Sequence, residues 1–166
     1  MRTNTFTTLM LLASLMLSGC GWQLRGSTDL SAAMQVMHLH SQASERFNQH
    51  LRLQLQYSGV LLTQRADDAP VQLWISAADI ERRELSVGSD GQVSEYELNA
   101  RLQARLQRQQ SDSDVLYEIE ARRIFANDIN NVTGTQNTER AQREALQQEL
   151  ANQLMRRLQF TQLEAP

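Results

Sequence analysis

"YELNARLQARLQ", residues 96–107, decides the fold. Its even positions read Tyr, Leu, Ala, Leu, Ala, Leu, and its odd positions read Glu, Asn, Arg, Gln, Arg, Gln. A period of two means a β-strand with one dry face and one wet face. Twelve residues at ~3.3 Å each make a strand about 40 Å long, long for a small domain.

The flanks predict two hairpins. "GSDGQ", residues 88–92, supplies an Asp90-Gly91 turn, and this dipeptide favours a tight reversal. Ahead of it, Val71 to Val87 reads as one strand: Val71, Leu73 and Ile75 share a face, and the phase slips near Ala77–Asp79 as a bulge would cause. Downstream, "QSDSD" (110–114) leads into a strand from Val115 to Ala126. Keeping the apolar positions together sets Leu102 opposite Ile119, Tyr96 opposite Phe125 and Arg101 opposite Glu120. A slip of one residue would bury Arg101 among leucines, a cost that excludes it.

Further out, "MQVMHLH" (Met34 to His40) reads as a first strand. Ser44 is a candidate N-cap, Phe47, Leu51 and Leu55 recur every four residues, and Gly59 is a stop signal, so a helix follows. Leu51, Leu53, Leu55 and Tyr57 also alternate; the cap, the glycine and the Gln/Arg-rich filling decide for helix. "NDINNVTGTQN" (127–137) reads as a polar loop. Thr138 to Leu158 forms the last helix, with Leu146, Leu150, Leu154 and Leu158 in one stripe and Arg156-Arg157 near its negative end. The expected fold is α+β: a two-layer sandwich, β-α-β-β-β-α, with two helices on one face of a four-stranded sheet. The other face, bearing Glu97, Asn99, Arg101, Gln103, Arg105, Glu118, Glu120 and Arg122, must meet water or a polar partner.

The N-terminus sets the compartment. Arg2 is the only charge in the first nineteen residues, and Leu9 to Leu17 is apolar but for Ser14. That run makes about 14 Å of helix at ~1.5 Å per residue, against a bilayer core of ~30 Å. Residues 1–19 therefore read as a secretory signal and residues 20–166 as a single domain. "LSGC" (17–20) resembles the bacterial lipobox, with Cys20, the chain's one cysteine, as the acylation site. A thiol suits the transfer because its thiolate forms near neutral pH. Gly21 after it, in place of Asp, favours the outer membrane. With Cys20 acylated, no thiol remains for redox or metal chemistry.

The full chain of 166 residues has 16 basic and 19 acidic residues, a net charge of −3, and no lysine. That balance argues against a nucleic-acid partner. No phosphate-cradling glycine loop, HExxH or nucleophile elbow occurs, and no cofactor is expected. His38 and His40 share a strand face without a third ligand nearby and read as surface residues, so no metal site is assigned. Glu118 and Glu120 alternate with arginines, which fits ion pairing better than acid/base work. No catalytic residue emerges, and an enzyme is not expected. The pairs Arg82-Arg83, Arg122-Arg123 and Arg156-Arg157 are each explained by solvation; together on a lipoprotein they become candidates for binding phosphorylated glycolipid, since guanidinium forks match phosphate oxygens.

"CGWQLRG" (20–26), "MQVMHL", "DGQVSEYEL" (90–98), "ARRIFANDIN" (121–130) and "LANQLMRRL" (150–158) together resemble the LptE family of lipopolysaccharide-assembly lipoproteins. The resemblance implies a lipoprotein of the outer membrane's periplasmic side, paired one-to-one with an LptD-type β-barrel that it plugs and helps to assemble. It also implies lipopolysaccharide binding and delivery of that lipid to the cell surface. On this reading Arg101, Glu120 and Trp22 are the barrel contacts, and Arg82, Arg83, Arg122 and Arg123 hold lipopolysaccharide. One departure stands out: relatives can carry bases at the hairpin tip and before the last helix, whereas Gly88–Gly91 and Asn127–Thr138 have none here. Two other classes stay open, a lipid-anchored scaffold of another envelope machine and a cell-wall hydrolase.

Overall fold

A computed structural model describes residues 30–109 and 114–161. The signal segment, Cys20 and Trp22 lie outside the described residues. The elements run β1 (Val36–Ser41), α1 (Glu45–Tyr57), β2 (Leu61–Thr63), β3 (Val71–Ile75), β4 (Asp79–Val87), β5 (Val93–Arg108), β6 (Val115–Ala126) and α2 (Val132–Phe160). Short 3-10 turns at Ala32–Met34 and Ala66–Asp68 precede β1 and β3.

The class is α+β as expected, but the sheet has six strands and not four. One addition is β2, which pairs parallel with β1 from Val36–Leu61 to His38–Thr63. Three residues are too few to show a period. The other addition comes from dividing Val71–Val87. β3 pairs parallel with β1 and antiparallel with β5, Leu73 facing Leu106. β4 continues along the same edge of β5, with Asp79 facing Arg101. Between them Ser76, Ala77 and Ala78 oppose only Leu102 and Gln103, so the slip near Ala77–Asp79 is a real insertion of one residue. Ser76 secures the break: its N–H donates to the Gln103 carbonyl (2.9 Å), and the Gln103 N–H donates to its Oγ (3.0 Å). The hydroxyl stands where a backbone carbonyl would be.

β6 lies along the opposite edge of β5. Leu102 faces Ile119, Tyr96 faces Phe125 and Arg101 faces Glu120, the register that the apolar phase demands. β5 is thus the central strand. Its inner positions Leu98, Ala100, Leu102, Ala104 and Leu106 are buried beneath Phe47, Leu51 and Leu55 of α1 and Leu146, Leu150, Leu154 and Leu158 of α2.

Both helices show why they start and stop. Ser44 accepts the Phe47 N–H at the head of α1. At its end Gly59 sits at φ +79°, Gly59 N–H donates to the Gln56 carbonyl and Val60 N–H to that of Leu55. This Schellman cap needs a left-handed residue, which glycine adopts without Cβ strain. The last helix begins at Val132 and not at Thr138. Asn131 caps it by accepting the Gly134 N–H (2.9 Å), and Asp128 N–H donates to Thr135 Oγ1. These side chains supply partners for the first turns, where no apolar stripe advertises a helix.

Candidate interaction surface

Both helices pack on the inner face, which leaves the outer face of the sheet uncovered by any described element. Alternation along β5 and its neighbours selects the residues there. Three groups stand in a row from one end to the other.

The first group centres on Glu97, 1% exposed and the one buried charged residue among the described residues. It is on the outer face, sealed by a single layer of neighbouring side chains. Arg83, directly opposite on β4, donates from Nε to Oε1 (2.7 Å), and Asn99 Nδ2 donates to the same oxygen (2.8 Å). Arg122 of β6 brings Nη1 to 3.7 Å from Oε2. The Asn99 bond and, against the opposing effect of desolvation, the two guanidinium groups hold this carboxyl below its ordinary value of 4.5. Arg83 and Arg122 stay 62% and 68% exposed, so each fork is oriented by Glu97 while its remaining N–H groups face outward.

The second group is Arg101 and Glu120, 3.1 Å apart and both exposed. The third is aromatic. His40 and Trp74 meet in a tilted ring contact, centroids 4.2 Å apart at 44°, and the Arg105 guanidinium lies 5.7 Å from the Trp74 ring. With Leu116 and Glu118 they edge a depression of about 580 Å³. The Trp74 indole N–H is sealed and has no hydrogen-bond partner among the described residues.

The four arginines singled out in the sequence are divided by the sheet. Arg83 and Arg122 share the outer face. Arg82 faces Leu98 on the helix side, where it pairs with Glu139 of α2 (2.9 Å) and lies over the Tyr96 ring (4.6 Å). Burial would raise the Glu139 carboxyl, but hydrogen bonds from Arg143 and Arg82 outweigh it and hold the group low. Arg82 is therefore a strut between hairpin and helix. Arg123 also stands on the Leu98 side, exposed. His38 bonds the Thr63 carbonyl through Nδ1, and His40 is occupied by Trp74.

Two features escaped the sequence. Glu97 looked like one polar residue among many, since its burial needs arginines from two other strands. Trp74 did carry a signal, for it is the one large aromatic on the polar phase of its strand.

A mixed sheet with two helices packed on it is also the fold of solved bacterial lipoproteins. Lipoprotein B from Nitrosomonas europaea has it at TM-score 0.67 and 22% identity, over 82% of this chain and 88% of that one. Rare lipoprotein B from Shewanella oneidensis has it at TM-score 0.62 and 19% identity, over 73% and 92%. The family model described as LptE, lipopolysaccharide-assembly, matches residues 33–158, and the chain belongs to that family. The LPS-assembly lipoprotein LptE of Pectobacterium atrosepticum is 33% identical over 111 residues, 64% of this chain. The matched stretch spans 59% of that relative's length.

Proposed function

We propose that this chain is a non-catalytic outer-membrane lipoprotein, acylated at Cys20, that acts in lipopolysaccharide assembly as the one-to-one partner of an LptD-type β-barrel. Family membership supports the process, and the bare outer face of the sheet carries the rest. A row of guanidinium, carboxylate and amide groups on a rigid strand suits a subunit seated in a polar barrel lumen, where the wall would dry and strengthen such contacts. Arg101 and Glu120 are the proposed barrel contacts, and Trp22 adds one from the segment after the anchor.

Lipopolysaccharide contact is assigned to Arg83 and Arg122, whose forks point outward beside Glu97 and match phosphate oxygens. Arg123 is a further cation within the same strand, whereas Arg82 is engaged by Glu139 and Tyr96. Co-purification in mild detergent tests this reading. Wild-type chain should bring down a stoichiometric β-barrel protein, and Arg101→Glu should reduce that yield while leaving the isolated domain folded. Capture of a secretion or pilus complex instead would favour the scaffold alternative.

A further inference from the structure

The two ends of the molecule differ in a way that the sheet face does not account for. Among the described residues, the four most exposed large apolar side chains are Phe160 (83%), Tyr57 (82%), Leu116 (75%) and Leu61 (65%). Topology gathers all four at one end. Leu61 pairs with Val36 at the start of β1, Tyr57 closes α1, Leu116 lies at the start of β6, and Phe160 ends α2. Phe160 and Leu116 meet across a shallow depression that Arg156 and Arg157 also line. Its floor is tied down by a 2.7 Å bond between the Tyr117 and Thr161 hydroxyls. Arg156 reaches back to Glu149 (3.1 Å), and Arg157 has no ion-pair partner among the described residues. Among the described acidic residues of this end, Asp67 and Asp68 sit on the far side beside β2, and Asp114, just ahead of β6, is paired with Arg105 (3.6 Å).

The chain enters at this same end, where Leu30 is buried just ahead of β1. About ten peptide steps separate Cys20 from Leu30, a reach of at most ~36 Å. β5 runs for 16 residues, which at ~3.3 Å per residue is about 53 Å. A tether of that length excludes an upright domain standing on its far hairpin, because Leu30 would then lie beyond reach of the surface that holds the anchor.

We infer that the corner formed by the last turn of α2 and the start of β6 rests on the bilayer, with Phe160 and Leu116 in the headgroup layer and Arg156 and Arg157 on the phosphates of anionic phospholipids. Aromatic and aliphatic side chains ringed by arginines, without a bulk apolar surface, suit an interface and not a membrane interior. The inference rests on anchoring at Cys20.

The test uses the full chain isolated from bacterial membranes and reconstituted into vesicles of phosphatidylethanolamine with phosphatidylglycerol. Nitroxides are placed through Phe160→Cys, Leu116→Cys and, at the far end, Val87→Cys. Labels at 160 and 116 should lose accessibility to an aqueous nickel chelate and gain it to oxygen, while the label at 87 stays in water. Adding Arg156→Glu and Arg157→Glu should return both to water. Water-level accessibility at 160 and 116 on an acylated chain overturns the inference, as does shielding of those labels by a co-purified protein alone. Mass spectrometry of residue 20 in the same sample separates the two failures: an unmodified Cys20 overturns the anchor, and this inference with it.

Discussion

The two faces of β5 are both sealed, but by different means. On the inner face, Leu98, Leu102 and Leu106 are buried by leucines from both helices, an arrangement that tolerates no water and fixes the register. On the outer face, Glu97 is as buried as Leu98, yet the cover is two arginines and an amide from three strands. Apolar burial is collective and deep, whereas the outer cover is one layer thick and depends on charge. The first should give way only to lost volume. The second should give way to lost charge or to acid.

The largest effect is expected inside. Leu150→Ala or Leu154→Ala removes a fully buried side chain and should cost ~2–5 kcal/mol, a large part of a ~5–15 kcal/mol stability. Denaturant melts would show it, with exposed Gln148→Ala nearly silent as the control. Equal small effects at all three positions would break the comparison at its stronger half.

Next comes the Glu97 cluster. Arg122→Glu places a second carboxylate beside a buried one and should lower Tm clearly more than Arg101→Glu does, since Arg101 faces an exposed Glu120. A thermal melt of both variants ranks them; equal shifts would mean that Glu97 is not the distinguishing partner. Acid should act on the same group. The carboxyls of Glu97 and Glu139 titrate below 4.5 in the fold, so the stability they contribute is present above that value. It is lost as pH falls through the lower folded value. Denaturant midpoints followed from pH 6 down to about 3 should decline for wild type and decline less for Glu97→Gln. The smallest effect is Arg101→Ala, worth ~0.2–1 kcal/mol as an exposed cross-strand pair. Its consequence should appear in the yield of barrel partner and hardly at all in the melt.

The central hairpin was legible because alternation is a local signal: twelve residues of strict phase set the strand, its face and its pairing with β6. α1 was legible from Ser44, Phe47, Leu51, Leu55 and Gly59, which are cap, stripe and stop. β2 was not, because a three-residue parallel strand exists only through β1. The first turns of α2 were not either, because they are held by Asn131, Asp128 and Thr135 and not by an apolar face. For the surface, the sequence identified Arg101 with Glu120, whose contact follows from register alone. It also placed Arg122 on the outer face by the phase of its strand, but it could not divide Arg82 from Arg83 between the two sides of the sheet.

The extra residue at the Ser76–Ala78 break settles that division, and it does so by parity. In β3 the odd residues Val71, Leu73 and Ile75 point inward; in β4 the even ones, Ile80 and Arg82, do. Without the insertion, odd numbers would stay inward through the whole edge. Arg83 would then turn toward the helices, and Arg82 would come to stand opposite Glu97. Deleting Ala77 would leave two residues opposite Leu102 and Gln103, so Arg83 would keep its place opposite Glu97. At this edge the accommodation of one extra residue in the bulge, and not the identity of either side chain, decides which of two adjacent arginines reaches Glu97.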